Sequence, residues 1–235
     1  MYYIGNSNPI FDSYVYWPEP LKITDIIEGK IDMEFYRDKG IRINADMSPE
    51  QKEKELENLQ YTLTHIDNIR TAWNIMKSTG SCVNIIRSYT TVDIAAFLEY
   101  MDRKIYIHDQ SKFSKEEWES YRKNFYPINN EEKEANKSDF EAAWKHHYTV
   151  NHHHWQYWYK VKKDVNAMPL DDIIEECCDW IAMNMVFPGT AYEFFEKRVL
   201  DKNCKEDEKI YLSDFATEVT EKILKAYYEA NPKIE

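Results

Sequence analysis

Residues 48–76 read SPEQKEKELENLQYTLTHIDNIRTAWNIM, and this stretch decides the fold class. Ser48 followed three residues later by Gln51 is a capping-box pattern, and Pro49 sits where a helix tolerates proline best. Leu56, Leu59, Leu63, Ile66, Ile69, Trp73 and Met76 then recur at three- and four-residue steps. A strand would show its faces alternating every second residue, so this period predicts one long amphipathic helix. Gly80 is its expected stop, and His65 rides on it.

Working outward, the same signature returns. A second helix is expected over roughly 84–104, with Ile85, Ile86, Val92, Ala95, Ala96, Leu98 and Met101 as its apolar positions. Ser114-Lys115-Glu116-Glu117 and Ser138-Asp139-Phe140-Glu141 predict two further capped starts, the first helix ending before Pro127 and the second carrying Trp144, His146 and His147. The polar residues 129–138 between them read as an exposed loop. Met168-Pro169-Leu170-Asp171 leads into a helix through Asp179 toward Met185, broken by Pro188-Gly189. A charged loop at 201–209 and a last amphipathic helix over Ser213–Ala230 close the chain. Residues 1–47 are rich in Tyr, Pro, Asn and Ile without helical period, which predicts an irregular or short-stranded segment. Asp32-Met33-Glu34 has the D-x-E form of metal-dependent exonucleases, but no alternating strands and helices follow it. The expectation is an all-α domain over 48–235 with that segment before it.

Composition narrows the function classes. The 235 residues include seven Trp and eighteen Tyr but five Gly, which argues against disorder and against a loop-rich β fold. Neither a P-loop nor a dinucleotide-binding glycine string occurs. The formal charge of −12 disfavours an extended nucleic-acid partner. It permits a small phosphorylated one, because bound cations reverse the potential locally. Cys82, Cys177, Cys178 and Cys204 show no C-x-x-C spacing and read as reduced thiols. The absence of a leader-like start or an apolar run of spanning length sets the expectation at cytoplasmic, with no membrane partner. Homo-oligomerisation is left open.

The histidines carry the chemistry. They are His65, His108, His146, His147, His152, His153 and His154, five of them within nine residues. His108-Asp109 is followed by Gln110-Ser111-Lys112. Imidazole beside carboxylate suits a divalent transition metal such as Mn, Zn, Fe, Ni or Co, and Lys112 suits a phosphate oxygen. Asp179 sits among Cys177, Cys178, Trp180 and Ile181, so burying it requires a partner such as a metal. His146 and His153 are seven residues apart, as are His147 and His154, so each pair shares a face if one helix runs through both.

The order H…HD-x-[GS]-K…D over roughly residues 55–185 resembles the signature of the HD superfamily of metal-dependent phosphohydrolases. Matched residue by residue, His65 takes the place of the first ligand, His108 and Asp109 the doublet, and Asp179 the closing ligand. HDQSKFSKEEW…YRKNFYP, FEAAWKHHY…NHHHW and CDWIAM also resemble an uncharacterised bacterial and phage domain family. The resemblance implies an HD-like helical bundle holding one or two ions, and hydrolysis of a nucleotide or other small phosphate ester. The implied ligands are His65, His108, Asp109, His146, His153 and Asp179. Asp109, Lys112 and His147 are the catalytic candidates, and Arg70, Lys112, Arg122 and Lys145 the candidates for holding phosphate. Two other classes fit the same residues: an HD-type di-iron oxygenase, and a non-enzymatic phage or host interaction protein with a structural metal.

Overall fold

The computed structural model describes residues 47–232. The expected irregular or short-stranded segment and the Asp32-Met33-Glu34 string, up to residue 46, lie outside the described residues. Nine α-helices follow one another, with short 3-10 and π turns between some of them and no strand among the described residues. The all-α expectation therefore holds.

The first helix, α1 (Pro49–Ser78), starts as its sequence dictates. The Ser48 backbone N–H donates to Gln51 Oε1 at 2.9 Å and the Gln51 N–H to Ser48 Oγ at 3.1 Å, both arms of the box. Its end differs from expectation. Gly80 does not close α1 but opens α2 (Gly80–Tyr89), after Thr79 in an extended conformation. The single helix expected over 84–104 is two, α2 and α3 (Ile94–Tyr106). Asp93 divides them, because its carboxylate accepts from the Ala95 and Ala96 N–H groups at 3.0 and 3.1 Å.

Two more expectations are corrected. Ser114 and Glu117 form no capping box: α4 begins at Trp118 and runs to Phe125, and the Glu117 carboxylate is spent on histidines. Ser138 already lies inside α6 (Lys137–Val150), whose N-cap is Asn136. The expected loop before it contains α5 (Asn130–Ala135), capped by Asn129, whose Oδ1 accepts from Glu132 N–H at 2.8 Å.

The chain groups into two compact units. The α7 unit comprises Asn68–His108 and everything from His152 onward. It holds the end of α1, then α2, α3, α7 (Leu170–Val186), α8 (Ala191–Phe195) and α9 (Asp214–Ala230), with a π turn at Tyr157–Lys162 and another at Glu196–Leu200. α9 packs on α2 and α7, and α8 on α7 and α9. Every residue from Leu170 to Ala182 is buried, so α7 is the central rod of this unit. Its core is hydrocarbon and sulfur, with Trp73, Met76, Ile86, Ile173, Ile174 and Ile223 among the members.

The α4–α6 unit comprises, among the described residues, 47–67 together with Asp109–Asn151. It contains most of α1, a 3-10 turn at Gln110–Phe113, and α4, α5 and α6. Its buried apolar residues are few: Leu59, Ile66, Phe113, Trp118, Ala143 and Tyr148. Polar contacts complete the interior. The Arg122 guanidinium grips Glu132 at 2.7 and 2.8 Å, with Glu55 3.2 Å from its Nε. Trp118 Nε1–H donates to Glu55 at 2.7 Å. Glu55, Trp118 and Arg122 are thus buried with polar partners, as burial demands.

The four cysteines are free, with Cys82, Cys177 and Cys178 buried. No helix among the described residues is long and apolar enough to cross a membrane.

Candidate metal centre

In the α7 unit the site is built on one helix face. Asp171, Glu175 and Asp179 stand at successive four-residue steps along α7, with Asp172 and Glu176 beside them, and all five are buried. His108 lies just beyond the end of α3, and His152–His154 form the turn that follows α6. His108 Nδ1 is 2.7 Å from Glu175 Oε1, and His153 Nδ1 is 3.3 Å from the same oxygen. The two rings lie 4.2 Å apart between centroids, and His153 and His154 are equally close. Donor atoms of His108, His153 and Glu175 fall within 4.8 Å of one another, as do those of His153, His154 and Asp179.

Behind these donors stands Lys104, itself buried. Its ammonium donates to Asp171 Oδ2 at 2.7 Å and to Asp172, and lies 3.3 Å from Glu175 Oε2. Tyr100 O–H adds a bond to Asp171 at 3.0 Å. Burial alone would push Glu175 up, but His153, Lys104 and the His108 hydrogen bond hold its carboxyl well below the usual range. Burial would likewise strip Lys104 of its proton, and Asp172, Asp171 and Glu175 keep it charged. Asp172 is pushed up to about 7 by burial against the pull of Lys104. Glu176, whose one bond is from the Trp155 N–H at 3.2 Å, is raised well above the usual range by burial.

In the α4–α6 unit the hub is Asp109, held with φ 57° and ψ 18°. That left-handed conformation is uncommon outside glycine, though Asp adopts it more readily than most residues. The Asp109 carboxylate does not cap the 3-10 turn that follows. It meets His65 Nε2 at 3.2 Å, His147 Nε2 at 3.3 Å and Lys112 Nζ at 2.6 Å instead. Glu117, fully buried, is bound through both oxygens: His146 Nδ1 at 2.7 Å and His147 Nδ1 at 2.8 Å. Burial would raise Glu117, but those two hydrogen bonds lower it below the usual range. Burial would lower His147, and Asp109 and Glu117 raise it. The Glu117 hydrogen bond raises His146.

These placements redistribute the sequence-derived roles. His108, His153 and Asp179 fall in the donor sets of the α7 unit, and His65 and Asp109 meet in the other. His146, 35% exposed, turns to Glu117. No continuous helix joins His146 and His147 to His153 and His154, because α6 ends at Val150 and Asn151 is extended. The Asn151 side chain donates back to His147 C=O at 2.9 Å and to Ser111 Oγ at 2.7 Å, closing that end. Arg122 is committed to Glu132 and Glu55, Arg70 donates to Tyr106 C=O at 2.9 Å, and Lys145 is exposed. Sequence reasoning missed Glu175, Glu117 and Lys104. Glu175 falls four residues before Asp179 and was not singled out, and both are buried. Five acids within nine residues of an otherwise apolar helix were the signal.

Imidazole nitrogens and carboxylate oxygens converging in buried space suit a divalent transition ion, which would offset the cost of burying them together. No curated protein and no solved structure matches the chain. A family model does, that of a family of unknown function (DUF5662), over residues 54–227. The match takes in α1 from its second turn, both donor clusters and nearly all of α9, and the chain belongs to that family.

Proposed function

We propose that this protein is a metal-dependent phosphohydrolase of the HD type, acting on a nucleotide or other small phosphate ester. The observation that carries the reading is that His108 and Asp179, two members of the H…HD…D order far apart in sequence, both enter buried donor sets through His153. The 3.2 Å approach of His65 to Asp109 within the other unit supports it. An ion held by histidines of these sets, His108 and His153 or His153 and His154 with Asp179, would bring a bound water toward neutral pKa and polarise a phosphoryl oxygen. The chain's own residues supply the rest. Burial of the donors excludes bulk water, and Asp109 anchors His65, His147 and Lys112. Within the α4–α6 unit, Lys112, 14% exposed and 2.6 Å from Asp109, is the cation we propose for a phosphate oxygen. The reading places the protein in the cytoplasm with a small phosphorylated partner.

The test is elemental analysis of tag-free protein together with a broad phosphoester panel, wild type beside Asp109→Ala. The expected result is stoichiometric transition metal and hydrolysis in the wild type, with hydrolysis lost in the variant. Metal-loaded wild type that hydrolyses no member of the panel overturns the reading. Two irons per chain with oxygen-dependent turnover replaces it by the oxygenase class.

A further inference from the structure

We propose that Glu175 and Glu117, neither of which belongs to the H…HD…D order, are positioning residues that set which nitrogen of three buried histidines faces a metal. The inference rests on the metal-binding part of the reading above and is independent of the substrate.

Each glutamate takes two imidazoles through the same ring atom. Glu175 Oε1 has His108 Nδ1 at 2.7 Å and His153 Nδ1 at 3.3 Å. Glu117 has His146 Nδ1 at 2.7 Å on one oxygen and His147 Nδ1 at 2.8 Å on the other. An ionised carboxylate only accepts, so a hydrogen bond to it places the ring proton on Nδ1. The other neighbours of His147 Nδ1 do not compete. Ser111 Oγ is farther, at 3.3 Å, and the Asn151 amide already serves Ser111 Oγ and the His147 carbonyl.

With the proton on Nδ1, the lone pair of the neutral ring sits on Nε2. In His147 that atom is the one 3.3 Å from Asp109 Oδ1. A carboxylate behind an imidazole fixes both ring orientation and tautomer, which is how ligating histidines are held. The two glutamates are anchored in turn. Lys104 Nζ lies 3.3 Å from Glu175 Oε2, and Glu117 is 0% exposed between its two rings. His146 shares Glu117 but keeps its ring partly at the surface, so the same carboxylate orients one imidazole inward and one outward.

The experiment is long-range proton–nitrogen correlation NMR on protein labelled at histidine nitrogen, metal-free and zinc-loaded, above pH 8. Histidine-to-glutamine variants at 108, 147 and 153 assign the signals. His108, His147 and His153 are expected as Nδ1–H tautomers in both states. An Nε2–H signal for His108 or His147 overturns the proposal. Zinc competition on Glu175→Gln and Glu117→Gln gives the second readout. Glutamine still accepts from Nδ1–H, so affinity is expected to fall no more than about tenfold, against roughly 10–100-fold for the alanine variants. Complete loss of zinc in folded Glu175→Gln would make Glu175 a ligand and overturn its positioning role. A wild type with the expected tautomers but no phosphoester hydrolysis overturns the functional reading alone.

Discussion

The α7 unit surrounds its titratable groups with hydrocarbon, whereas the α4–α6 unit uses titratable groups as its interior. In the first, Lys104 and three carboxylates form an island beside a core of Ile, Met, Cys and Trp side chains. In the second, the buried titratable groups Glu55, His65, Asp109, Glu117, Arg122 and His147 equal the buried apolar residues in number. Both units present a glutamate holding two imidazoles, so the same device is built on two different foundations. In the α7 unit an apolar core lies beside the acids and does not itself titrate. The α4–α6 unit depends on its ion pairs remaining ionised.

The sharpest way to break that contrast is to remove the buried cation from each side. Lys104→Met leaves Asp171, Asp172 and Glu175 buried without their ammonium, and is expected to cost about 3–5 kcal/mol in chemical denaturation. A cost under about 1 kcal/mol would mean that the island is solvated or neutral in solution. Arg122→Met strands Glu55, while Glu132, 19% exposed, regains water. The expected cost is nearer 3 kcal/mol, with amide exchange accelerating first in α4 and α5. If exchange in α4 and α5 accelerates no more than elsewhere in the chain, the Arg122 pairs are not what holds this interior.

A pH series sharpens the comparison further. Glu117 is depressed, so its contribution is full above about 4.5 and is lost as pH falls through its lower folded value. His147 is raised, so its contribution is full below about 6.5 and is lost as pH rises through its higher folded value. In metal-free protein the Glu117–His147 pair is therefore strongest between about pH 4.5 and 6.5. The melting temperature of wild type minus Glu117→Gln should peak in that window and shrink toward pH 9. A difference that grows steadily with pH would contradict the pairing. The opposite sign belongs to Asp172, raised to about 7: its contribution falls as pH rises from about 4 to about 7. The smallest effect is at the surface. Arg103 and Glu99, 75% and 70% exposed, form an ion pair whose loss in Arg103→Ala should cost less than about 0.5 kcal/mol.

How much of this was legible beforehand depends on the range of the interaction. The Ser48–Gln51 box, α7 and the Ser213 start of α9 were readable, because caps and periodicity act over three or four residues. The Ser114 and Ser138 boxes failed for the same reason. The pattern was present, but a distant partner claimed Glu117, and Asn136 started α6 earlier. His108 and Asp179 were picked out as donors from their order and His153 from the later histidine block, while Glu175 was not singled out because nothing local reports burial.

By itself the sequence determined that the described chain is helical, that it lacks phosphate-cradling glycine loops, and which residue types offer metal donors. Periodicity and side-chain chemistry are local properties, and they are written one residue at a time. The tertiary structure alone decided which carboxylates are buried, which imidazole nitrogen each glutamate holds, and that His146 faces Glu117 while His147 reaches Asp109. Those outcomes depend on groups 22 to 67 positions apart meeting where water is scarce, and no local pattern encodes such a meeting.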